Sequence, residues 1–116
     1  MQVYTHPTCS TCKRALKWLD THHIAYQSVD IRQQAPSSEF FIQQVEKGVP
    51  LTKMMNTSGQ LYRELGLKEK VKDMTHEQIA HLLSTEGMLV KRPVMICGDR
   101  VSFGANETIL EEVWLT

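Results

Sequence analysis

Along this chain apolar and polar residues first alternate, then take up helical spacing, then alternate again. Residues 2–5, QVYT, are a short β-prone run that ends at His6-Pro7, since proline has no amide hydrogen to give to a ladder. Cys12, Ala15, Leu16 and Leu19 then recur at i, i+3, i+4 and i+7, one face of a helix, with Lys13, Arg14 and Lys17 on the other. Residues 24–31, IAYQSVDI, alternate again and predict a second strand. Strand, helix and strand in this order predict a parallel pair with a right-handed crossover.

The middle of the chain, residues 36–86, offers no good strand. Ser37 or Ser38 suits the cap of a helix bearing Phe41, Ile42 and Val45, which Gly48 stops. The cluster NTSG at 56–59 is a turn ahead of a short helix, QLYREL, closed by Gly66. Thr75 and Gln78 have capping-box spacing before Ile79, Leu82 and Leu83. Strand character returns at 92–103, RPVMICGDRVSF, where Gly98-Asp99 is a two-residue hairpin signal. Asn106 then caps a last helix with Ile109, Leu110 and Val113. The order β-α-β, helical block, β-β-α predicts an α/β, thioredoxin-like (glutaredoxin-like) fold. Its mixed four-stranded sheet is flanked by helices, and an all-helical insertion of about residues 35–87 separates the second and third strands within one domain spanning 1–116.

Composition narrows the function classes. A chain of 116 residues, 41% hydrophobic and 22% charged, suits one domain with one core. Thirteen Lys and Arg balance thirteen Asp and Glu, so no net charge draws the chain to nucleic acid or to an anionic membrane, and neither is an expected partner. The start, MQVYTHPTC, has neither the basic nor the apolar region of a secretory signal. No apolar run approaches the ~20 residues of a membrane-spanning helix. Three cysteines are too few for a disulfide scaffold. A cytoplasmic location is the expectation, and there a CxxC serves redox chemistry or a metal.

That motif is Cys9-Ser10-Thr11-Cys12, at the mouth of the first helix. Unpaired amides at a helix start carry roughly half a positive charge, which favours a thiolate at Cys9, and Lys13 and Arg14 add to the field. Residues three apart on a helix have Cβ atoms roughly 5–6 Å apart, slightly wider than a disulfide requires, so a bridge to Cys12 is feasible but easily reduced. Cys9 is then the nucleophile and Cys12 the resolving thiol of a redox disulfide. Two small buried hydrophobes are the plainer alternative. A zinc site from His6, Cys9, Cys12 and His22 or His23 meets a geometric objection: ten helical residues separate Cys12 from His22, about 15 Å along the axis. No metal is expected.

A second constellation is Arg92-Pro93 at the start of the third strand. In a thioredoxin-like layout this strand begins beside the CxxC helix, and a cis peptide there would turn Arg92 toward the thiolate. Its guanidinium would then offer a fork of donors to an oxyanion. Ser10, Thr11, Arg92 and Pro93 are the expected substrate-binding positions. Cys97 reads as structural, His76 and His81 as solvated, and Trp18 and Trp114 as packing residues. Neither GVPLTK nor NTSG has the order of a phosphate-binding loop.

Four stretches, YTHPTCSTCKRALKWL (4–19), NTSGQLYRELGLKEKVKDM (56–74), MLVKRPVMI (88–96) and VSFGANE (101–107), resemble the glutaredoxin-dependent arsenate reductases (ArsC) and their relatives, the Spx regulators. The resemblance implies a thioredoxin-like fold with a helical insertion, a catalytic cysteine at Cys9 and an oxyanion-binding arginine at Arg92, before the cis proline. It implies no bound cofactor and an external thiol donor, glutathione with glutaredoxin, or thioredoxin. Of three family arginines around the oxyanion, only Arg92 is matched. Asn56 stands at the first position, the third falls near Gly104 or Ala105, and Arg63 and Arg100 are the candidates to compensate. Two readings follow. One is a thiol-disulfide oxidoreductase acting on an oxyanion such as arsenate. The other is an Spx-like redox switch that binds the C-terminal domain of the RNA polymerase α subunit without turnover, although the chain ends soon after its final helix, without the longer tail of those regulators.

Overall fold

The computed structural model describes residues 1–115. The chain runs β1 (Gln2–Thr5), α1 (Ser10–Thr21), β2 (Gln27–Asp30), α2 (Ser38–Glu46), α3 (Leu51–Met54), α4 (Gln60–Glu64), α5 (Leu67–Lys70), α6 (His76–Thr85), β3 (Val94–Cys97), β4 (Arg100–Phe103) and α7 (Glu107–Trp114). Short 3-10 turns lie at Val71–Asp73 and Gly87–Leu89. It divides into two compact units, one of Met1–Asp30 with the stretch that begins at Arg92, the other Ile31–Lys91. No described helix is long and apolar enough to cross a membrane.

The first unit holds the mixed sheet, in the order β2-β1-β3-β4. β1 pairs parallel with β2 and antiparallel with β3, placing Val3 opposite Ser28 on one side and Met95 on the other. β3 and β4 form the expected hairpin, with Cys97 opposite Arg100 and Gly98-Asp99 as the two-residue loop. Because side chains alternate along a strand, Val3 and Met95 share a face. There they pack with Ala15 and Leu19 of α1 and Leu110 and Trp114 of α7. Fully burying each of the larger side chains contributes roughly 1.5–3 kcal/mol. Trp114 Nε1 also donates to the buried Ser102 Oγ at 2.9 Å, which satisfies both polar groups inside the core.

β2 is shorter than the alternation of residues 24–31 suggests. The amide of Ile24 donates to Leu19 O and that of His23 to Asp20 O, so the chain is still closing α1 at these positions. His23 takes a left-handed φ of 57° to make that closure. Ile24 and Tyr26 still pack against the core, so the alternation reported burial but not ladder pairing.

The second unit is helical apart from an isolated bridge between Met55 and Val90. Ser37 caps α2 through Phe40 N–H, and α2 packs against α6. Thr75 and Gln78 make the reciprocal capping box at the start of α6. Phe41, Met54, Leu83, Leu89 and Val90 are fully buried.

Candidate active site

Cys9 is the N-cap of α1. Its backbone is extended, φ −83° and ψ 109°, and its Sγ accepts the amide of Cys12 at 3.2 Å. An N-cap is ordinarily Ser, Thr, Asp or Asn because a short side-chain acceptor must reach the exposed amides of the first turn. Here sulfur takes that place. The Cys9 amide donates to His6 O at 3.0 Å, and Cys9 O accepts from Lys13 N at 3.2 Å. His6 Nδ1 in turn accepts the Thr8 amide at 3.2 Å and lies 2.9 Å from Thr8 Oγ1. The loop entering the helix is therefore tied at its backbone and at a side chain.

The two sulfurs differ in environment. Cys9 is half-buried, whereas Cys12 is 1% exposed; both are free thiols. Burial pushes the Cys12 thiol up to about 12, helped by a side-chain hydrogen bond with Cys9. The His6 amide and the Arg92 charge pull in the opposite direction without offsetting burial. Cys12 thus remains a protonated thiol at neutral pH while hydrogen-bonded to its neighbour.

Arg92 precedes β3 and is half-buried, and its peptide bond to the buried Pro93 is cis. Pro93 O accepts the Gly104 amide at 2.9 Å, which fixes the segment leading into β3 to the end of β4. Ser10 is exposed and Thr11 half-buried, both in the first turn of α1. The fold thus brings Cys9, Cys12 and the charge of Arg92 into one neighbourhood.

The other arginines have different engagements. Arg100 lies opposite Cys97, at the hairpin end of β3–β4, away from Pro93, and its Nη1 donates to Val113 O at 3.4 Å. Arg63 Nη1 donates to Ser58 O at 3.1 Å within the second unit. Cys97 is a free, exposed thiol beside the hairpin loop. His22 and His23 are exposed at the far end of α1, the His22 ring centroid 4.3 Å from that of Trp18 and tilted 47° to it.

His6 is the residue whose part was missed. Sequence weighed it only as a zinc ligand, yet its carbonyl holds the Cys9 amide and its own amide faces the Cys12 sulfur. The available signal was the spacing of Thr8 two residues after His6 around a proline, a pattern that favours local side-chain to backbone bonds.

Comparisons with known proteins find similar sequences and folds along most of the chain. The model of the ArsC family matches residues 4–113. The chain is 43% identical to the uncharacterised protein YusI of Bacillus subtilis over 115 residues, 98% of each chain. It is 26% identical to the global transcriptional regulator Spx of Lactiplantibacillus plantarum over 108 residues, 90% of this chain and 79% of that one. The crystal structure of a possible arsenate reductase from Streptococcus mutans superposes with a TM-score of 0.84 at 38% identity, covering 89% of this chain and 88% of the other.

Proposed function

Because the chain belongs to the ArsC family, we propose that it is a thiol-disulfide oxidoreductase in which Cys9 attacks, Cys12 resolves and Arg92 stabilises the developing charge. The observation that carries this reading is the asymmetry of one helical turn. A half-buried Cys9 sulfur receives the Cys12 amide at 3.2 Å, next to a buried Cys12 held as a thiol. An outer sulfur that a substrate can reach and an inner one that waits are what a two-step exchange requires.

The steps balance as follows. The Cys9 thiolate attacks one sulfur of a substrate disulfide, the S–S bond breaks, and one substrate sulfur remains bonded to Cys9. Cys12 gives its proton to the leaving thiolate, attacks the Cys9 sulfur and releases the second substrate sulfur as a thiolate that takes a proton from water, closing a Cys9–Cys12 disulfide. Two electrons have then passed to the substrate. An external thiol donor, glutathione with glutaredoxin, or thioredoxin, returns them. An oxyanion such as arsenate would take the same two electrons and leave as arsenite and water, with Ser10, Thr11, Arg92 and Pro93 around it.

The test is a coupled turnover assay with glutathione and glutaredoxin, run on a small disulfide and separately on arsenate. Wild type should turn over at least one substrate and Cys9→Ser should turn over neither. Equal rates for wild type and Cys9→Ser would end the proposal. The 26% identity to Spx supports a second reading, a switch that binds the RNA polymerase α subunit. Redox-dependent capture of that subunit's C-terminal domain, without turnover, would favour it.

A further inference from the structure

We propose that the imidazole of His6 is a positioning group for thiol exchange: it fixes the loop of residues 7–9, and with it the backbone amide that faces the Cys12 sulfur in the resolving step. This inference rests on the redox reading above. Every amide of that loop ends on His6. Pro7 has none to give, the Thr8 amide donates to His6 Nδ1 at 3.2 Å, and the Cys9 amide donates to His6 O at 3.0 Å. Thr8 Oγ1 stands 2.9 Å from the same ring nitrogen. A backbone amide can only donate, so Nδ1 is the acceptor and the proton of the neutral ring is on Nε2.

The two sulfurs take their amide donors from different places. Cys9 Sγ accepts the Cys12 amide at 3.2 Å, a bond made inside the first turn of α1. The Cys12 sulfur accepts from the His6 amide, which lies outside that helix and beyond the end of β1 at Thr5. The helix therefore maintains the first donor by itself, whereas the second depends on where the loop holds His6. Pro7 and Thr8 are both exposed, so hydrogen bonds rather than packing set the course of that loop. Burial favours the Cys12 thiol, and the His6 amide is a group that works against it, toward the thiolate.

In the resolving step the Cys12 proton passes to the first departing thiolate. The Cys12 sulfur, now anionic, bonds to Cys9 Sγ, the bond from Cys9 Sγ to the substrate sulfur breaks, and its electron pair leaves on that sulfur. Just before the attack the negative charge rests on the buried Cys12, where a charge-assisted hydrogen bond is stronger than in water. Without the ring acceptor the Thr8 amide turns to solvent, the loop loosens and the His6 amide drifts from the sulfur. Resolution then slows. The earlier attack by Cys9 draws on the Cys12 amide within the helix and keeps its rate.

Asparagine and leucine form a matched pair for the test. Asparagine Oδ1, like histidine Nδ1, is one bond from Cγ and can accept the amide two residues on, while leucine has the same branching and no acceptor. The experiment uses the full chain, reduced and then mixed with oxidised glutathione. Peptide mass spectrometry of acid-quenched time points follows the adduct on Cys9 and the Cys9–Cys12 disulfide, with any adduct on the exposed Cys97 counted apart. His6→Leu should slow loss of the Cys9 adduct about tenfold, the effect of one hydrogen bond to a charged group, while the adduct forms within about twofold of the wild-type rate. His6→Asn should resolve within about twofold of wild type. Denaturation midpoints are measured beside the rates, and His6→Ala replaces His6→Leu if leucine prevents folding. Positioning is overturned, with the redox reading intact, if wild type closes the disulfide and the variant without an acceptor resolves as fast. It is equally overturned if His6→Asn is as slow as that variant, or if both steps slow together. Wild type that never closes the disulfide overturns the redox reading and this inference with it.

Discussion

The Cys12 amide donates to Cys9 Sγ at 3.2 Å, while the Cys12 sulfur itself lies buried one turn below. The backbone that caps the helix is therefore also the group that distinguishes two chemically identical side chains. A single turn gives one sulfur an amide donor and partial access to solvent, and gives the other burial and a proton.

Selective alkylation follows from that difference. At pH 7.5 and with all thiols reduced, iodoacetamide should label Cys9 and the exposed Cys97 in the folded protein and Cys12 only after denaturation. Peptide mass spectrometry resolves the sites. Labelling of Cys12 at the rate of Cys97 would contradict its burial.

Alkaline stability should fall for the same reason. The Cys12 thiol is pushed from 9.0 to about 12 in the folded chain, so between those values the unfolded state has lost a proton that the native state retains. Stability then decreases as pH rises through that window, because the native state binds more protons. It is fully present below pH 9. Denaturant midpoints of wild type and Cys12→Ala, measured from pH 7 to 10.5, should show a fall that is shallower in the variant.

Much of the fold was legible because local rules and tertiary packing agree in it. The capping box at Thr75 and Gln78, the caps at Ser37 and Asn106 and the Gly98-Asp99 hairpin all depend on neighbours within a few residues. The bounds of β2 were misread because they depend on distant partners. Alternation at residues 24–31 reflects packing of Ile24 and Tyr26 on the core, while the ladder itself waits for β1 to run alongside from Gln27. The first CxxC position was legible as a cap, but the engagements of Arg100 and His6 needed three dimensions.

His23 is a place where the fold accepts a local strain. It occupies the left-handed position after α1 at φ 57°, with Ile24 N–H bonded to Leu19 O, the arrangement that usually selects glycine. A Cβ there costs about 1 kcal/mol. His23→Gly should raise stability by roughly 0.5 kcal/mol once the extra freedom of glycine in the unfolded chain is subtracted. A chemical-denaturation midpoint no higher than wild type would contradict it.

In the second unit, Gly87 has no room for a side chain, since a Cβ would collide with the carbonyl oxygen of Ile31. The atom it meets is backbone, so neither side can turn away. Gly87→Ala should destabilise by about 2–3 kcal/mol, in the range of overpacked cores. Circular dichroism during denaturation measures it.

The last prediction separates the two cysteines by what accumulates. If Cys9 attacks and Cys12 resolves, Cys12→Ser can take the first step and not the second. Incubated with oxidised glutathione, that variant should collect a mixed disulfide at Cys9, because no buried thiol remains to displace the glutathionyl group. Wild type under the same conditions should proceed to the Cys9–Cys12 disulfide with no lasting adduct on either of those sulfurs, any glutathione on the exposed Cys97 being counted apart. Cys9→Ser should gain little glutathione at Cys12, whose sulfur is buried and stays protonated at neutral pH. Peptide mass spectrometry after quenching with acid assigns the adduct in all three and separates it from any at the exposed Cys97. An adduct that builds on Cys12 in preference to Cys9 would reverse the roles, and the helix cap would then mark the resolving thiol.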